Sequence, residues 1–436
     1  MADVQPLNGI RYNEEKVGNL SEVITPPYDV ISDEAQNRYY ERNPYNIILL
    51  ELGKDEPGDN SLNNRYTRAA ATFAEWRLQQ VLQQDAEPSY YLYQQVFQQG
   101  EQMYVRTSLL ARVRLEPWSA RVVLPHEHTL AKPKDDRLKL LRACAANLSP
   151  VMSMYDDPQG HIRNILNAYA LNPQVQITDE VGEEHRLHPI SDPQQIALIQ
   201  HFFSERQLYI ADGHHRYETA LNYREEVREM RKQLHEDDAV NFVLMALIDL
   251  DDPGLVVLPT HRLVSGLSEE ALENLSSQRL GQYFTIREFL VGDYPVEAAL
   301  AMLAQDGNGA PSFVVATPEQ SWLVSINEQG RERMKSSGHS EAWNELDVAV
   351  AHTLVLEDIL GIHPEEITAG TYARYTRDAS EAMQALQKRE AQVALLLPPT
   401  RVRQICEVAK ADDRMPQKST YFYPKLITGL VLNPLW

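Results

Sequence analysis

Two short strings carry most of the chemistry this chain could perform. In Leu208-Tyr209-Ile210-Ala211-Asp212-Gly213-His214-His215-Arg216 a strand-like apolar run ends in an acid and a glycine, and two imidazoles and a guanidinium follow at once. A helix starting at that glycine has backbone N–H groups without intrahelical partners and the positive end of its dipole at one spot, which suits an anion. Gly213 admits close backbone approach, Arg216 can fork onto two oxygens, and His214 or His215 can donate a further hydrogen bond. The plainer alternative is a helix capped by Asp212 with its histidines in water, although a cap alone has no use for Gly, two His and Arg in succession.

The second string, Leu124-Pro125-His126-Glu127-His128-Thr129, runs into Lys132, Lys134, Asp135, Asp136 and Arg137, a dense ionisable loop between a strand pattern and a helix pattern. Loops on rigid scaffolds are common seats of catalytic groups. Glu127 can act there as a general base once partial desolvation raises its pKa, with His126 beside it. His126 and His128 would share one side of an extended strand, so a metal pair stays open next to a solvated surface loop. Two further clusters join hydroxyls to cations near prolines: Thr260-His261-Arg262, and Lys418-Ser419-Thr420 with Lys425 close behind. Each can line a phosphate or carboxylate site, or simply be a polar turn. Trp76, Trp322, Trp343 and His352 read as core.

The elements that must position these groups follow from periodicity and punctuation. Helices are expected at 66–83, 135–147, 196–205 and 214–234, then at 296–304, 347–360, 381–389 and 401–409. Strand patterns fall at 90–97 and 103–115, joined as a hairpin, and at 207–211, 243–249, 255–258, 313–316, 322–326 and 392–397. The mixture is α+β. A soft boundary near 264–275 divides it into an N-terminal domain, 1–265, and an α+β C-terminal domain, 266–436. The apolar run 426–432 must pack somewhere, so the tail is expected to fold back and lay Lys418, Ser419 and Thr420 against Asp212–Arg216, with Thr260–Arg262 in the same cleft.

Composition narrows the partners. Among 436 residues, 41 Lys+Arg against 62 Asp+Glu leave a net charge of −21, which opposes general nucleic-acid binding. At 43% hydrophobic and 24% charged the chain is ordinary for a globular protein. Cys144 and Cys406 sit in helix patterns with no need of pairing, which fits a reducing cytoplasm. The first residues lack the basic and apolar regions of a signal peptide, and the apolar runs fall short of the roughly 18 residues of a membrane span. The expectation is a cytoplasmic protein with a small-molecule substrate and neither nucleic acid nor membrane as partner.

The strings SEVITPPYDVIS, RNPYNIILLEL, LPHEHTLAKPKDDRLKLLRACAANLSP, LYIADGHHRYETAL, DPGLVVLPTHRL and RMPQKSTYFYPKL resemble an uncharacterised conserved prokaryotic family, a domain of unknown function, over nearly the whole length. Asp212-Gly213-His214-His215-Arg216 is also similar to the phosphate-binding motif of the ParB/sulfiredoxin superfamily, whose members bind nucleotides for partitioning, sulfinic-acid repair or free-serine phosphorylation. Free serine kinases pair such a motif with an upstream Pro-His-Glu whose glutamate is the proposed base, and Pro125-His126-Glu127 resembles it.

That resemblance implies a ParB/sulfiredoxin-like mixed α/β core with insertions, followed by a second α+β domain. It implies a phosphotransferase moving a phosphoryl group from ATP or ADP, with Mg²⁺, to a small serine-like hydroxyl compound. Glu127 and His126 would be catalytic, and Asp212, Gly213, His214, His215 and Arg216 would hold phosphate and nucleotide; the reading of the residues themselves adds Thr260, His261, Arg262, Lys418, Ser419 and Thr420 to that set. An acid such as Asp212 would ligate Mg²⁺ directly or through water. About 84 residues separate Glu127 from Asp212, so the resemblance requires an insertion near 150–200 looped out of the core. Two other readings use the same residues: a non-catalytic nucleotide-binding regulator, and a metal-dependent hydrolase built on His126, His128, His214 and His215.

Overall fold

The Tyr- and Val-rich hairpin is the spine of the first sheet. In the computed structural model, which describes residues 1–129, 131–290 and 309–436, Tyr90–Gln99 and Gln102–Arg114 pair antiparallel across a turn where Gly100 takes φ +62°. Phe242–Asp249, buried at every residue, pairs antiparallel with Gln102–Arg114 and, along its other edge, parallel with Val151–Tyr155. Leu208–Asp212 follows, antiparallel to Val151–Tyr155 and parallel to Val123–Leu124. Glu184–Ile190 and Val175–Thr178 extend the hairpin side, and Val4–Gln5 pairs with Gln102–Arg114, which makes nine strands among the described residues. The continuous apolar run of Phe242–Asp249 is what a strand covered on both faces requires. Leu109, Val151, Ile210, Met245 and Leu247 pack there with Phe203 and Tyr217 from helices Pro193–Phe203 and His214–Arg231.

The stretch 150–200 is not looped out, as the resemblance required. Val151–Tyr155 is a central strand with all five residues buried, and 175–190 is a hairpin in the same sheet. Its signal is weak because Val-Met-Ser-Met-Tyr has no alternation to read and only one β-branched residue. Ser153 can occupy the interior because its hydroxyl meets the Met245 sulfur at 3.3 Å.

The chain divides into two units: Met1–Pro125, Thr129–Val256 and Pro424–Trp436 form the first, and His126–His128 with Val257–Tyr423 form the second. Beside the boundary expected at 265/266, unit 1 ends its long run at Val256 and takes in the last segment of the chain. That segment bridges Thr428 to Thr25 and Leu432 to Ile10, and pairs Asn433 with Asn147.

Unit 2 is built on an antiparallel sheet in the order Phe284–Leu290, Gln320–Ile326, Ser312–Ala316, Val393–Leu396, His261–Val264, Ala373–Thr376. Helix Ala379–Gln387 covers it with Ala382, Ala385 and Leu386 against Leu263, Val314 and Leu396. The fold class is α+β.

Element bounds differ from expectation in identifiable places. The helix expected at 66–83 is Arg65–Leu78: Asn64 and Thr67 form a capping box at its start, and Gln80 at φ +58° turns the chain into strand Leu82–Gln84. The pattern 347–360 is an α-turn, Asp347–Val350, continued by a π-helical segment, Ala351–Ile359. The helix expected at 296–304 lies outside the described residues. Trp76, Trp322, Trp343 and His352 are buried, as read. No described helix is long and apolar enough to cross a membrane.

Candidate functional site

The strand–glycine–helix junction forms where the sequence puts it. Leu208–Asp212 ends at Gly213, which takes φ +93°, and an 18-residue helix, His214–Arg231, begins at once. A Cβ at Gly213 would lie 3.0 Å from the Arg216 guanidinium, so both the backbone sign and the space call for glycine. Arg216 donates to Asp212 Oδ2 at 2.8 Å and to the Pro150 carbonyl, while Lys425 donates to Asp212 Oδ1. Burial pushes the Asp212 carboxyl up, but Lys425, Arg216 and His214 outweigh it and hold the group far below the usual carboxylate range. The result is an anion locked between two cations at a helix start.

Behind Arg216 lies a second charged layer, all within unit 1. Arg216, Arg137, Glu51, Ser149 and Thr219 line a cavity of about 40 Å³, room for water and far below the roughly 300 Å³ of a nucleotide pocket. Glu51, fully buried, accepts from Arg137 at 3.2 Å and Ser149 at 3.1 Å. Burial raises its pKa, with Arg137 and Arg216 pulling the other way. Asp136 holds Arg137 from the far side and takes Arg65 and Tyr66 on its other oxygen. The Arg137 guanidinium stacks 3.8 Å from the ring centroid of Tyr28 in the Thr25–Asp29 motif; burial pushes the Tyr28 phenol up to about 12.

Arg106 is a further cation of unit 1. Although 1% exposed, it gives one hydrogen bond, from Nη2 to Gln95 Oε1, and Nε and Nη1 make none among the described residues. Burial pushes it down to about 10, while Tyr93, Asp252, Glu183 and Asp212 pull the other way. Gln95 in turn donates to the Lys425 carbonyl, so Arg106 is coupled to the residue that holds Asp212.

The remaining sequence candidates belong to unit 2. His126 is buried, with Nε2 3.3 Å from the Thr420 hydroxyl and its carbonyl accepting from the Met415 amide. Glu127 is half-buried and His128 exposed. Arg262 donates to the carbonyls of Thr260 and Lys418 and to His352 Nε2, and Thr400 donates to the Ser419 carbonyl. The Leu397 amide donates to His261 Nδ1, and burial pushes that imidazole down to about 4. Thus His126, Thr260–Arg262 and Lys418–Thr420 sit in the hydrogen-bonding framework of unit 2, and Asp212–Arg216 in that of unit 1.

Glu51 and Arg106 are not among the residues the sequence points to, Arg137 is there only as a member of the ionisable loop after His126, and Lys425 only as a tail cation. Alternation did not reveal Arg106: it shares a side of its strand with Ser108, Leu110 and Arg112, while Leu109, Ala111 and Val113 enter the apolar core. Glu51 had a signal, since it ends the apolar run Ile47–Leu50. The group of three metal-ligand side chains found among the described residues, Asp179, Glu183 and His185, contains none of His126, His128, His214 or His215.

The chain belongs to a family described as a protein of unknown function (DUF1015), whose profile matches residues 4–349. No curated protein matches it. Among solved structures it is similar to a conserved hypothetical protein from Pyrococcus furiosus, at 13% identity and a TM-score of 0.34, covering 74% of this chain and 95% of that one. A free serine kinase in complex with AMP aligns at 12% identity and a TM-score of 0.36, over 76% of this chain and 93% of that one. SbnI with C-terminal truncation from Staphylococcus aureus gives 12% and 0.36, over 75% and 87%. Likenesses at these scores assign neither ligand nor reaction to this chain.

Proposed function

Starting from membership of the DUF1015 family, we propose that the chain is a phosphotransferase that binds the phosphates of ATP or ADP at Asp212–Arg216 and moves a phosphoryl group to a small, serine-like hydroxyl compound. The supporting observation is the junction itself: Gly213 at φ +93° heads an 18-residue helix, with Arg216 and Lys425 held at its start by one carboxylate. Phosphoryl transfer requires mainly positioning and charge neutralisation, which a helix start and fixed cations supply. A phosphate oxygen arriving there competes with Asp212 for cations already in place.

The further roles come from the motif resemblance: a ParB/sulfiredoxin-like core, Glu127 taking the hydroxyl proton, and His126 beside it. Both Asp212 oxygens are engaged by cations, so Asp212 does not fit as an Mg²⁺ ligand, and Mg²⁺ is assigned to no residue. The water-sized cavity beside Arg216 is read as support for that side chain.

The test is thermal shift of the whole chain with ATP, ADP and AMP, with and without Mg²⁺, because a ligand of the native state raises stability by RT ln(1 + [L]/Kd). Arg216→Ala should weaken nucleotide binding by about 1.5 to 3 kcal/mol, the loss of a charge-assisted hydrogen bond, with the fold retained. Glu127→Gln should bind nucleotide and lose turnover. Silence across the panel, or an Arg216→Ala chain with unaltered affinity, overturns the reading. A wild-type chain that binds nucleotide but phosphorylates no alcohol supports the regulator instead.

A further inference from the structure

The hairpin Val175–Thr178 and Glu184–Ile190 carries a cluster for which the proposed reaction has no use. Asp179, Glu183 and His185 each present one ligand atom, and these atoms all lie within 4.8 Å of one another. Local chain geometry assembles them. Asp179 Oδ1 accepts the amides of Val181 at 3.0 Å and Glu183 at 2.9 Å, which closes the connecting loop and leaves Oδ2 to face His185. Alternation along the strand then puts Glu183, His185 and Leu187 on the buried side and Glu184 and Arg186, paired with each other, on the opposite side. Glu180, the remaining acid of the loop, is taken by Tyr39 and Arg42, which pins the loop to helix Asp33–Arg42.

His185 is the informative member. Its side chain is fully buried, and its Nε2 lies 3.3 Å from Asp179 Oδ2 yet makes no hydrogen bond of acceptable geometry. A buried ring nitrogen beside two carboxylates without a directed hydrogen bond is costly unless something else satisfies it. Nε2 and Oδ2 are also separated as ligands of one ion would be, since metal–ligand bonds of about 2.0 to 2.2 Å in a tetrahedral site set neighbouring donor atoms roughly 3.4 Å apart. On the other side of the ring, Nδ1 lies 2.9 Å from Tyr93 Oη. With the proton on Nδ1, the ring donates to Tyr93 and directs the Nε2 lone pair at the cluster, the usual outer support of a metal-binding histidine.

We propose that Asp179, Glu183 and His185 bind one divalent transition-metal ion, Zn²⁺ or Mn²⁺, with Tyr93 as the residue that fixes the His185 tautomer. Two carboxylates neutralise the dication, which makes the site compatible with the nearby charge of Arg106. The imidazole ligand selects against Mg²⁺, which prefers an all-oxygen shell. This site does not depend on the nucleotide reading, and its test contains no nucleotide.

The experiment uses the whole chain, freed of metal by a chelator and titrated calorimetrically with Zn²⁺, Mn²⁺ and Mg²⁺ separately. Bound metal is counted by elemental analysis, and the visible spectrum with Co²⁺ reports the ligand set. Stoichiometric uptake of Zn²⁺ or Mn²⁺ over Mg²⁺ is expected, lost in His185→Ala and Asp179→Asn. Tyr93→Phe should weaken affinity about 10- to 100-fold, the usual effect of removing an outer support. Glu184→Gln, in the same hairpin but on its other side, should bind as the wild type does. No stoichiometric uptake by the wild type, or undiminished uptake by His185→Ala and Asp179→Asn, overturns the site. Should those variants fail to fold, the wild-type Co²⁺ spectrum decides: absence of the ligand-field bands of a nitrogen–oxygen site rejects the proposal.

Discussion

Two arginines, each 1% exposed and each pushed by burial down to about 10, differ in what they have to bind. Arg262 spends its donors on the Thr260 and Lys418 carbonyls and on His352, so the cation that made Thr260-His261-Arg262 conspicuous in sequence has a structural task in unit 2. Arg106 spends one donor on Gln95 and leaves Nε and Nη1 without a hydrogen bond among the described residues. A buried charge so poorly compensated lowers stability, and replacing it with an apolar side chain of similar volume is commonly neutral or favourable. Arg106→Met is therefore expected to leave the melting temperature unchanged or raise it, while weakening nucleotide affinity about tenfold, a typical charge-assisted contact. Melting curves and a nucleotide titration check both halves. A large loss of stability at constant affinity would mark Arg106 as a structural residue.

At the scale of elements, the junction at residues 208–216 was legible because all its signals are local: an apolar run, an acid, a glycine, a helix. The 90–114 hairpin was legible for the same reason, a clear β-rich pattern on each side of Gly100. Pairings made by distant chain were not legible. Lys425 reaches Asp212 across 213 positions and Arg137 reaches Glu51 across 86, and no spacing rule connects them. Gly213 tests whether the junction is positioned by its backbone. Alanine there must adopt φ +93° and would set its Cβ 3.0 Å from the Arg216 guanidinium, so Arg216 has to shift by a few tenths of an ångström against Asp212. The left-handed conformation alone costs about 1 to 2 kcal/mol. Gly213→Ala should thus lower the melting temperature and weaken nucleotide binding together. Gly266→Ala, also at positive φ but in unit 2 with its Cβ an unstrained 3.5 Å from Tyr372, should lower stability alone. Equal nucleotide affinity in the two variants would disconnect the junction from binding.

For the molecule as a whole, the chain leaves unit 1 at Val256 and returns to it at Pro424. The returning segment is part of the core it joins. Leu432 and Thr428 are fully buried, and Asn433 donates at 2.9 Å to Asn147, whose same oxygen accepts the Leu244 amide of the central strand. Lys425 reaches Asp212, while Leu426, Ile427, Leu430, Val431 and Leu435 are all buried. At about 1.5 to 3 kcal/mol for each of six buried aliphatic side chains, removing this segment forfeits about 9 to 18 kcal/mol, as much as the roughly 5 to 15 kcal/mol by which a domain is stable. A chain ending at Tyr423 should therefore lose the fold of unit 1, read as loss of amide exchange protection in Phe242–Asp249. Lys425→Met separates packing from charge: the segment stays in place, protection of Phe242–Asp249 persists, and Asp212 keeps Arg216 as its remaining cation. A truncated chain with native protection across that strand would show that the last segment covers unit 1 without holding it together.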